Sequence, residues 1–595
     1  MQTHTMGRSI AAVIAIAGLF VAGACHVAHG QEIRTALDAA IKDAHVIVAV
    51  PDISAFSDKL AMINDVLGLN NPELGNALGA VKQQLGMNQG VNERGAFVLV
   101  LQDVGAMSEV ETAQYALLVP VTDYGEFLGN YDVQAVDEVA RITMPEGHTA
   151  YVRSITGFAV IGPNEQYVRD YTPDGASDEI IEHIGTLGRQ YLADNDVTVI
   201  VNIESMGPVL LAQIEQMGGG LAVTQPYTSI VKRFLGGTRV MVIGFDATSQ
   251  GIGLTQTFAF NPDSNISEMY RAGGNAAPGL AWLADQRYLV AGAVDMQGFD
   301  LAAMLQRVNK GADEAEQATA NSLIQQIMPS LENVSAMAMA IYVSGDPADA
   351  AAGAYATANI VTVMRSEQPA LVIKGFTEHL ETLNQVQVEL PITDVTIGKP
   401  ARLSFVTGYT PNVLVFEGVS VNQYEVTTNL PPAMLGGPAG GMLASTGLSN
   451  LRGYVAQADK MVIWTTVLDA QLIKRAIRTA VSGDGMGKTG NIAQIRAASL
   501  PPEPTMEMYF DVAGLAALMN AFRAPMGLPL FEIPRTLPPI AMAMSVDKQG
   551  AAGRLYLPVD ALSFGRAMFA QPKAAAPANR QGQQGLRTKK RRRER

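Results

Sequence analysis

Residues 46–56 read VIVAVPDISAF, and residues 288–299 read YLVAGAVDMQGF. Each stretch is an apolar run that ends at an aspartate, Asp52 or Asp295, with a phenylalanine four residues further on. Apolar runs rich in β-branched residues predict strands, and an aspartate after a strand can accept hydrogen bonds from the first free N–H groups of a helix. The recurrence of this pattern predicts that the second half of the chain repeats the first.

Two further pairs of segments support this repeat. YVRSITGFAVI, from Tyr151, matches YVAQADKMVIW, from Tyr454, and TVIVNIESM, from Thr198, matches EMYFDVAGL, from Glu507. The three matches run in the same order, with offsets of 243, 303 and 309 residues. The jump after the first offset predicts an insertion of roughly sixty residues in the second copy. A tandem duplication indicates architecture but not chemistry.

Strand-like runs followed by a capping residue and a helical pattern recur along the chain, including ALVIKGFTEHLETLN at 370–384. Other segments, such as 238–260 and 541–559, have two strand patterns around a short turn and predict hairpins. Units of strand and helix mixed with hairpins favour an α+β fold over a doubly wound parallel sheet. We predict two homologous halves, each a largely antiparallel sheet with helices packed on one face.

The chain ends differ from the rest of the sequence. Residues 1–30 resemble a signal peptide, with an uncharged apolar stretch and small residues at Ala28 and Gly30 before Gln31. Cys25 follows Ala-Gly-Ala, which resembles a lipoprotein attachment site, so lipidation is the alternative to simple cleavage. We expect a first half at 31–272, a second half with the insertion at 273–572 and a disordered basic tail at 573–595.

Charge separates the body of the chain from its tail. Residues 31–572 hold 32 basic and 55 acidic residues, whereas the tail holds nine basic residues and one acidic residue. The acidic body argues against nucleic-acid binding, and the tail is suited to contact an anionic surface or the acidic body itself. No apolar run after residue 30 approaches the length of a transmembrane helix, so none is predicted in the mature chain.

Residue types exclude several chemistries. Cleavage after Gly30 would leave no cysteine, which excludes thiol catalysis and a disulfide framework. The remaining histidines, His45, His148, His183 and His379, are widely spaced, and no pair has the spacing of a metal-binding helix. We therefore predict no cofactor and no metal site.

Three short motifs follow the order used by penicillin-binding proteins and serine β-lactamases. Ser229-Ile-Val-Lys232 is similar to their S-x-x-K, Ser420-Val-Asn422 to their S-x-N, and Lys488-Thr489-Gly490 to their K-T-G. The resemblance implies Ser229 as nucleophile, Lys232 as its base, Ser420 as proton relay and Lys488 as the group that binds the substrate carboxylate. Chance occurrence of such short motifs is the alternative.

Two functional hypotheses follow. The first is an exported periplasmic or envelope protein without enzymatic activity, a binding or scaffold module for an unknown protein or envelope polymer, with the cleft between its halves as the default ligand site. The alternative is an envelope serine hydrolase or acyl-transferase of the penicillin-binding type. A Gly/Pro-rich loop from Leu430 is a further contact candidate.

Overall fold

A computed structural model describes residues 30–103, 114–218, 234–300, 331–343, 358–394, 399–429 and 450–569, apart from single positions at 137, 146, 176, 263, 265, 272, 386, 489 and 525. The 21 strands in these residues form one sheet, and their pairings are antiparallel. The predicted α+β class with a large antiparallel sheet is therefore confirmed. The predicted signal peptide and basic tail lie outside the described residues.

The strands of the first half are β1 (Val46–Val50), β2 (Phe97–Asp103), β3 (Gln114–Pro120), β4 (Asp132–Val136), β5 (Val139–Thr143), β6 (Thr149–Ile155), β7 (Phe158–Gly162), β8 (Val197–Asn202), β9 (Thr238–Ala247) and β10 (Gly251–Phe260). Those of the second half are β11 (Tyr288–Asp295), β12 (Val334–Val343), β13 (Ala358–Ser366), β14 (Gln387–Asp394), β15 (Lys399–Phe416), β16 (Val419–Asn429), β17 (Asn450–Ala458), β18 (Met461–Thr465), β19 (Met506–Phe510), β20 (Ile540–Val546) and β21 (Gly550–Pro558).

The described α-helices are α1 (Gly30–Asp38), α2 (Ile53–Val66), α3 (Pro72–Gly75), α4 (Ala77–Leu85), α5 (Tyr124–Leu128), α6 (Glu165–Asp170), α7 (Ser177–Leu192), α8 (Ile203–Gly218), α9 (Pro369–Leu383), α10 (Ala470–Ser482), α11 (Gly490–Ser499), α12 (Val512–Arg523) and α13 (Val559–Phe569). Short 3-10 turns lie at Ser267–Met269, Ala277–Trp282, Met296–Gly298 and Met486–Lys488.

The strand order is the same on the two sides of the β10–β21 pair. Outward from β10 it runs β9, β8, β1, β2, β3, β7, β6, β5, β4. Outward from β21 it runs β20, β19, β11, β12, β13, β18, β17, β16, β15, with β14 added at the edge. The three pairs of similar sequence segments fall on β1 and β11, on β6–β7 and β17–β18, and on β8 and β19, which hold equivalent places in this order.

The extra length of the second half lies between β13 and β17. Thr149 begins β6 29 residues after β3 ends at Pro120, whereas Asn450 begins β17 84 residues after β13 ends at Ser366. The described part of this region contains a longer helix, α9, the strand β14 and a long β15–β16 hairpin. The Gly/Pro-rich loop from Leu430 lies outside the described residues.

Capping residues begin helices where the sequence predicts them. The Asp52 carboxylate accepts a hydrogen bond of 2.8 Å from the Ala55 N–H and begins α2. Asp123, Asp469 and Asp511 cap α5, α10 and α12 in the same way. In the second half the Asp295 carboxylate instead begins a 3-10 turn, and residues 301–330, where a helix is predicted, lie outside the described residues.

One predicted strand is wrong. Residues 370–376 belong to α9, a helix from Pro369 to Leu383. Pro369 occupies the first helical turn, where its missing N–H costs nothing, and Val372, Phe376 and Leu380 repeat every four residues along one face. A short run rich in β-branched residues does not distinguish a strand from a buried helix, and the proline is the signal that does.

The prediction that helices pack on one face of each sheet is not confirmed. Ile47 and Ala49 of β1 lie in one buried cluster with residues of α1 and α7, whereas Val48 and Val50 lie in another with residues of α2. In the second half, Val363 packs with α10 and α11, and its neighbour Met364 packs with α9. The sequence signal is the unbroken apolar character of VIVAV, because a strand with one solvated face alternates apolar and polar residues.

The β10–β21 pair joins the two halves through nine opposed residue pairs. Both strands belong to predicted hairpins, which are confirmed. Thr255 lies four residues past Gly251, Arg554 lies four residues past Gly550, and these two residues face each other at the midpoint of the pairing. The hairpins therefore meet in a register that is symmetric about this pair.

A buried ion pair crosses this junction. The Arg554 guanidinium donates to the Asp246 carboxylate of β9 at 2.9 Å and to the Ser499 carbonyl at the end of α11 at 2.6 Å. Both charged side chains are nearly inaccessible to solvent. Gly253 leaves the room for Asp246, since a Cβ at that position would lie 2.2 Å from a carboxylate oxygen. The ion pair thus ties first-half and second-half strands together.

We expect Arg554→Met to destabilise the protein by about 3–5 kcal/mol, because it leaves the Asp246 carboxylate buried without its cation. Urea unfolding followed by circular dichroism measures the change. Arg34→Met is the matched control: Arg34 pairs with Asp178 at the surface, and its loss should change stability by less than about 1 kcal/mol. Equal effects of the two substitutions would contradict a structural role for the buried pair.

Candidate functional site

The structure describes two of the four residues that the penicillin-binding resemblance implies, Ser420 and Lys488. Ser229 and Lys232 lie outside the described residues. Ser420 lies in β16, where its hydroxyl donates to the Asn412 side chain. Lys488 lies in a 3-10 turn, and its ammonium is 3.1 Å from the Asp484 carboxylate. The resemblance requires an edge strand at Lys488, and that requirement is not met.

The S-x-N motif has a structural role instead. The Asn422 side chain accepts a hydrogen bond of 3.0 Å from the Asn412 N–H, and Ser420 bonds the Asn412 side chain. Asn412 lies at a bulge of β15 with φ of 56°, in the left-handed region that few residue types adopt readily. Ser420 and Asn422 therefore hold the irregular backbone of the β15–β16 hairpin.

The junction between the halves is packed with polar side chains. Lys59 donates to the Asp196 carboxylate at 2.9 Å, with both side chains buried. The Thr255 hydroxyl donates to the Asn195 side chain at 3.1 Å. The Arg554–Asp246 pair crosses the junction, whereas the other two contacts lie on the first-half side of it.

A second buried network lies in the second half, and the sequence analysis missed it. The Glu507 carboxylate of β19 accepts two hydrogen bonds from Arg496, at 2.6 and 2.9 Å, and one from the Tyr509 hydroxyl at 2.8 Å. Burial, followed by the nearby Glu507 charge, raises the pKa of Tyr509. Arg496 also donates to the Gly487 carbonyl and so fixes the turn that carries Lys488. These three hydrogen bonds join β19 to α11 and hold the Glu507 side chain in one position.

Asp511 is a carboxyl group whose pKa is raised by burial, and such groups are candidates for general acids. Hydrogen bonds from the Gly514 and Ala513 N–H groups act in the opposite direction and lower its pKa. Its carboxylate accepts the Ala513 N–H at 2.9 Å, which makes it the N-cap of α12. The geometry therefore assigns Asp511 to helix capping.

Exposed apolar residues lie in the last turn of α12 and in the loop that follows it. Phe522, Met526, Leu528 and Leu530 are 40, 63, 44 and 55% exposed, within nine residues of sequence. Single exposed apolar residues are ordinary, but a concentration of large ones marks an interaction surface. We call these four residues the apolar loop.

Polar contacts fix the apolar loop in place. The Asn520 side chain donates to the Phe531 carbonyl at 2.9 Å and accepts from the Phe531 N–H at 2.7 Å. The Arg523 guanidinium donates to the Pro529 carbonyl at 2.6 Å and lies over the Phe531 ring, 4.4 Å from its centroid. Two side chains of α12, Asn520 and Arg523, thus bind the backbone of residues 529–531 at the end of the loop. The loop therefore has a defined conformation in which its apolar side chains are exposed.

Helix α13 lies beside this loop. Phe531 and Met568 belong to one buried cluster, together with Ala516 of α12. Phe569, the last residue of α13, is 73% exposed.

Two further observations bear on chemistry. Within the described residues, no three His, Cys, Asp or Glu side chains are grouped as a metal site. None of the described helices has the length and apolar character needed to cross a membrane.

Comparison with known proteins gave no match: no family model, no curated protein and no solved structure is similar to this chain.

Asp511 provides a test of the capping assignment. Its folded pKa is raised above the unfolded value, so its contribution to stability is greatest at low pH and is lost as pH rises through the folded pKa. Asp511→Asn keeps a capping oxygen but cannot ionise. We expect the variant to equal or exceed the wild type in stability at pH 7 and to fall behind it near pH 4.

Urea midpoints at the two pH values measure this difference. Asp469→Asn, the same substitution at the exposed cap of α10, controls for the exchange of a capping carboxylate for an amide. A stability difference for Asp511→Asn that is the same at both pH values would contradict the buried, raised pKa.

Proposed function

We propose that this protein is an exported envelope protein that acts as a non-enzymatic binding or scaffold module. The observation that carries the proposal is the apolar loop, with four large apolar side chains held in solvent by Asn520 and Arg523. Exposing such side chains in a fixed conformation favours association and has no evident value for folding alone. The partner is an envelope protein, polymer or surface.

We further propose that the module arose by tandem duplication of one α+β unit, with a first half at 31–272 and a second half at 273–572. The equal strand order on the two sides of β10–β21 supports this, as do the three sequence matches at equivalent strands. The apolar loop follows α12 of the second half, and its equivalent after α8 lies at residues outside the described part of the chain.

The charged networks support binding over catalysis. Glu507 and Asp246 are buried among donors, and Lys488 is paired at the surface with Asp484. Groups used this way stabilise the fold and are not poised beside an open site. Export is supported by the signal-like residues 1–30.

A photoreactive amino acid at Leu528 should produce covalent adducts in intact cells, because the apolar loop contacts its partner directly. The same amino acid at Val66, which is 48% exposed in the first half, is the control and should give little or no adduct. Denaturing gel electrophoresis and mass spectrometry detect protein and lipid adducts. An absence of any adduct from Leu528 in expressed, exported protein would contradict the proposed binding surface.

The enzymatic alternative has its own test. We expect no covalent labelling of the purified protein by a β-lactam or fluorophosphonate probe, because the described motif residues have structural partners. Labelling that disappears in Ser229→Ala, with unchanged thermal stability, would replace the binding proposal with a serine hydrolase or acyl-transferase.

Deletion of residues 573–595 tests the proposed contact of the tail with an anionic surface. We expect the truncated protein to move from the envelope fraction to the soluble fraction, because the deletion removes ten of the eleven charged residues of 566–595, nine of them basic.

 The eleven charged residues of 566–595 are Arg566, Glu594 and the nine lysines and arginines of the tail, so truncation removes nearly all of the local positive charge. Cell fractionation and immunoblotting measure the shift. Intact mass of the same material reports whether the chain starts at Gln31 or carries lipid at Cys25, and an unchanged distribution would contradict a role for the tail in retention.

A further inference from the structure

We propose that one face of the second-half sheet binds a soft monovalent metal ion, Cu(I) or Ag(I), through the thioethers of Met506, Met508, Met542 and Met544. This site is separate from the apolar loop and goes beyond the proposed binding function. Three features support it: the pairing of these methionines, the types of donor on the same face, and the residues at the equivalent positions of the first half.

The four methionines form two cross-strand pairs. In the antiparallel pairing of β19 with β20, Met506 lies opposite Met544, and Met508 lies opposite Met542. Directly opposed side chains have Cβ atoms about 4.5–5.5 Å apart, and positions two apart along one strand are separated by about 7 Å. A methionine sulfur lies near the end of a flexible, unbranched side chain, so three or four of these sulfurs can converge on one ion.

A fifth methionine borders this group. The pairing of β11 with β19 places Gly292 opposite Met508, and the pairing of β11 with β12 places Met339 on the other side of Gly292. Because glycine has no side chain, the Met339 side chain can extend across this position toward Met508. Met339 and Met508 are 37 and 38% exposed, and the other three methionines are partly buried. An ion in solution can therefore reach the group.

The donors on this face are soft. Strands β11, β12, β19 and β20 contain two carboxylates, Glu507 and Asp295, and no histidine. Glu507 lies on the opposite, buried face, where Arg496 and Tyr509 bind its carboxylate. The Asp295 carboxylate accepts hydrogen bonds from two backbone N–H groups near it. Thioethers suit Cu(I), whereas Mg²⁺ and Ca²⁺ prefer oxygen ligands, so the available donors select a soft ion.

The first half shows that the fold does not require methionine at these positions. The β8–β9 pair is equivalent to β19–β20 in strand order, and it places Val197 opposite Phe245 and Val199 opposite Ile243. Val197 and Phe245 pack in a buried cluster with side chains of α2. The second half has methionine at all four equivalent positions. Thioethers at four paired positions, where branched and aromatic side chains suffice for packing, favour a role in binding.

Titration with Cu(I) tests the site. Protein starting at Gln31 contains no cysteine, because Cys25 is the only one in the sequence, so any sulfur bound to copper belongs to a thioether. In anaerobic competition with bicinchoninate, we expect about one Cu(I) per chain, with sulfur neighbours in the X-ray absorption spectrum. Replacement of the four methionines together by leucine, which nearly conserves volume and apolarity, should abolish this binding.

The matched control replaces four methionines of the first half by leucine and should bind Cu(I) as the wild type does; these are Met62, Met87, Met144 and Met206. Ag(I), a redox-inert ion of the same class, should shift the methyl NMR signals of the four proposed ligands in methionine-labelled protein. The affinity should be the same at pH 5 and pH 8, because a thioether has no proton to lose. A site made of histidine or carboxylate ligands would bind more weakly at the lower pH.

Several outcomes would overturn the inference. These are wild-type protein that does not compete with bicinchoninate for Cu(I), a four-leucine variant that binds as the wild type does, or bound copper with only nitrogen and oxygen neighbours. Circular dichroism reports whether the four-leucine variant folds. If it does not, the methyl signals of the wild type decide, and unchanged signals with Ag(I) would overturn the site. Photocrosslinking at Leu528 tests the apolar loop separately, so either proposal can fail without the other.

Discussion

The pairing of β10 with β21 is the constraint on which the rest of the structure depends. It converts two sets of strands into one continuous sheet, and its register places Thr255 opposite Arg554. At this point the backbone hydrogen bonds of the ladder and the Arg554–Asp246 ion pair act together, because Asp246 lies on β9, beside β10. A shift of one residue in this register would turn the side chains of β21 to the opposite face and separate the buried charges.

Three buried polar networks each join different elements of the fold. Arg554 and Asp246 link the halves, Lys59 and Asp196 bond α2 to the start of β8, and Glu507 joins β19 to α11 through Arg496. In each case a charged group that would be costly to bury alone is compensated by hydrogen bonds from another element. Such contacts favour one arrangement of the elements over others that bury the same apolar area.

Local sequence signals predicted much of this architecture. The strands, the aspartate caps and both hairpins follow from patterns within about twenty residues, because capping and turn formation are local interactions. Residues 370–376 form a helix and not the predicted strand, because a short apolar run is compatible with either structure. Pro369, in the first turn of the helix, is the residue that distinguishes the two. Burial of β1 on both faces depended on helices from distant parts of the chain, although the unbroken VIVAV run indicated it.

The site was less predictable than the fold. Ser420 and Lys488 fit a motif, yet each bonds a residue close to it in sequence, and spacing alone does not reveal such local partners. The apolar loop reads in sequence as one more Pro-rich apolar segment, and its exposure is set by Asn520 and by packing against α13. At the midpoint of the β10–β21 pairing, Thr255 faces Arg554. In a symmetric dimer of single halves, the residue at this position would face its own copy. A single chain has no such restriction, so threonine can face arginine, and each side of the midpoint is free to change without the other.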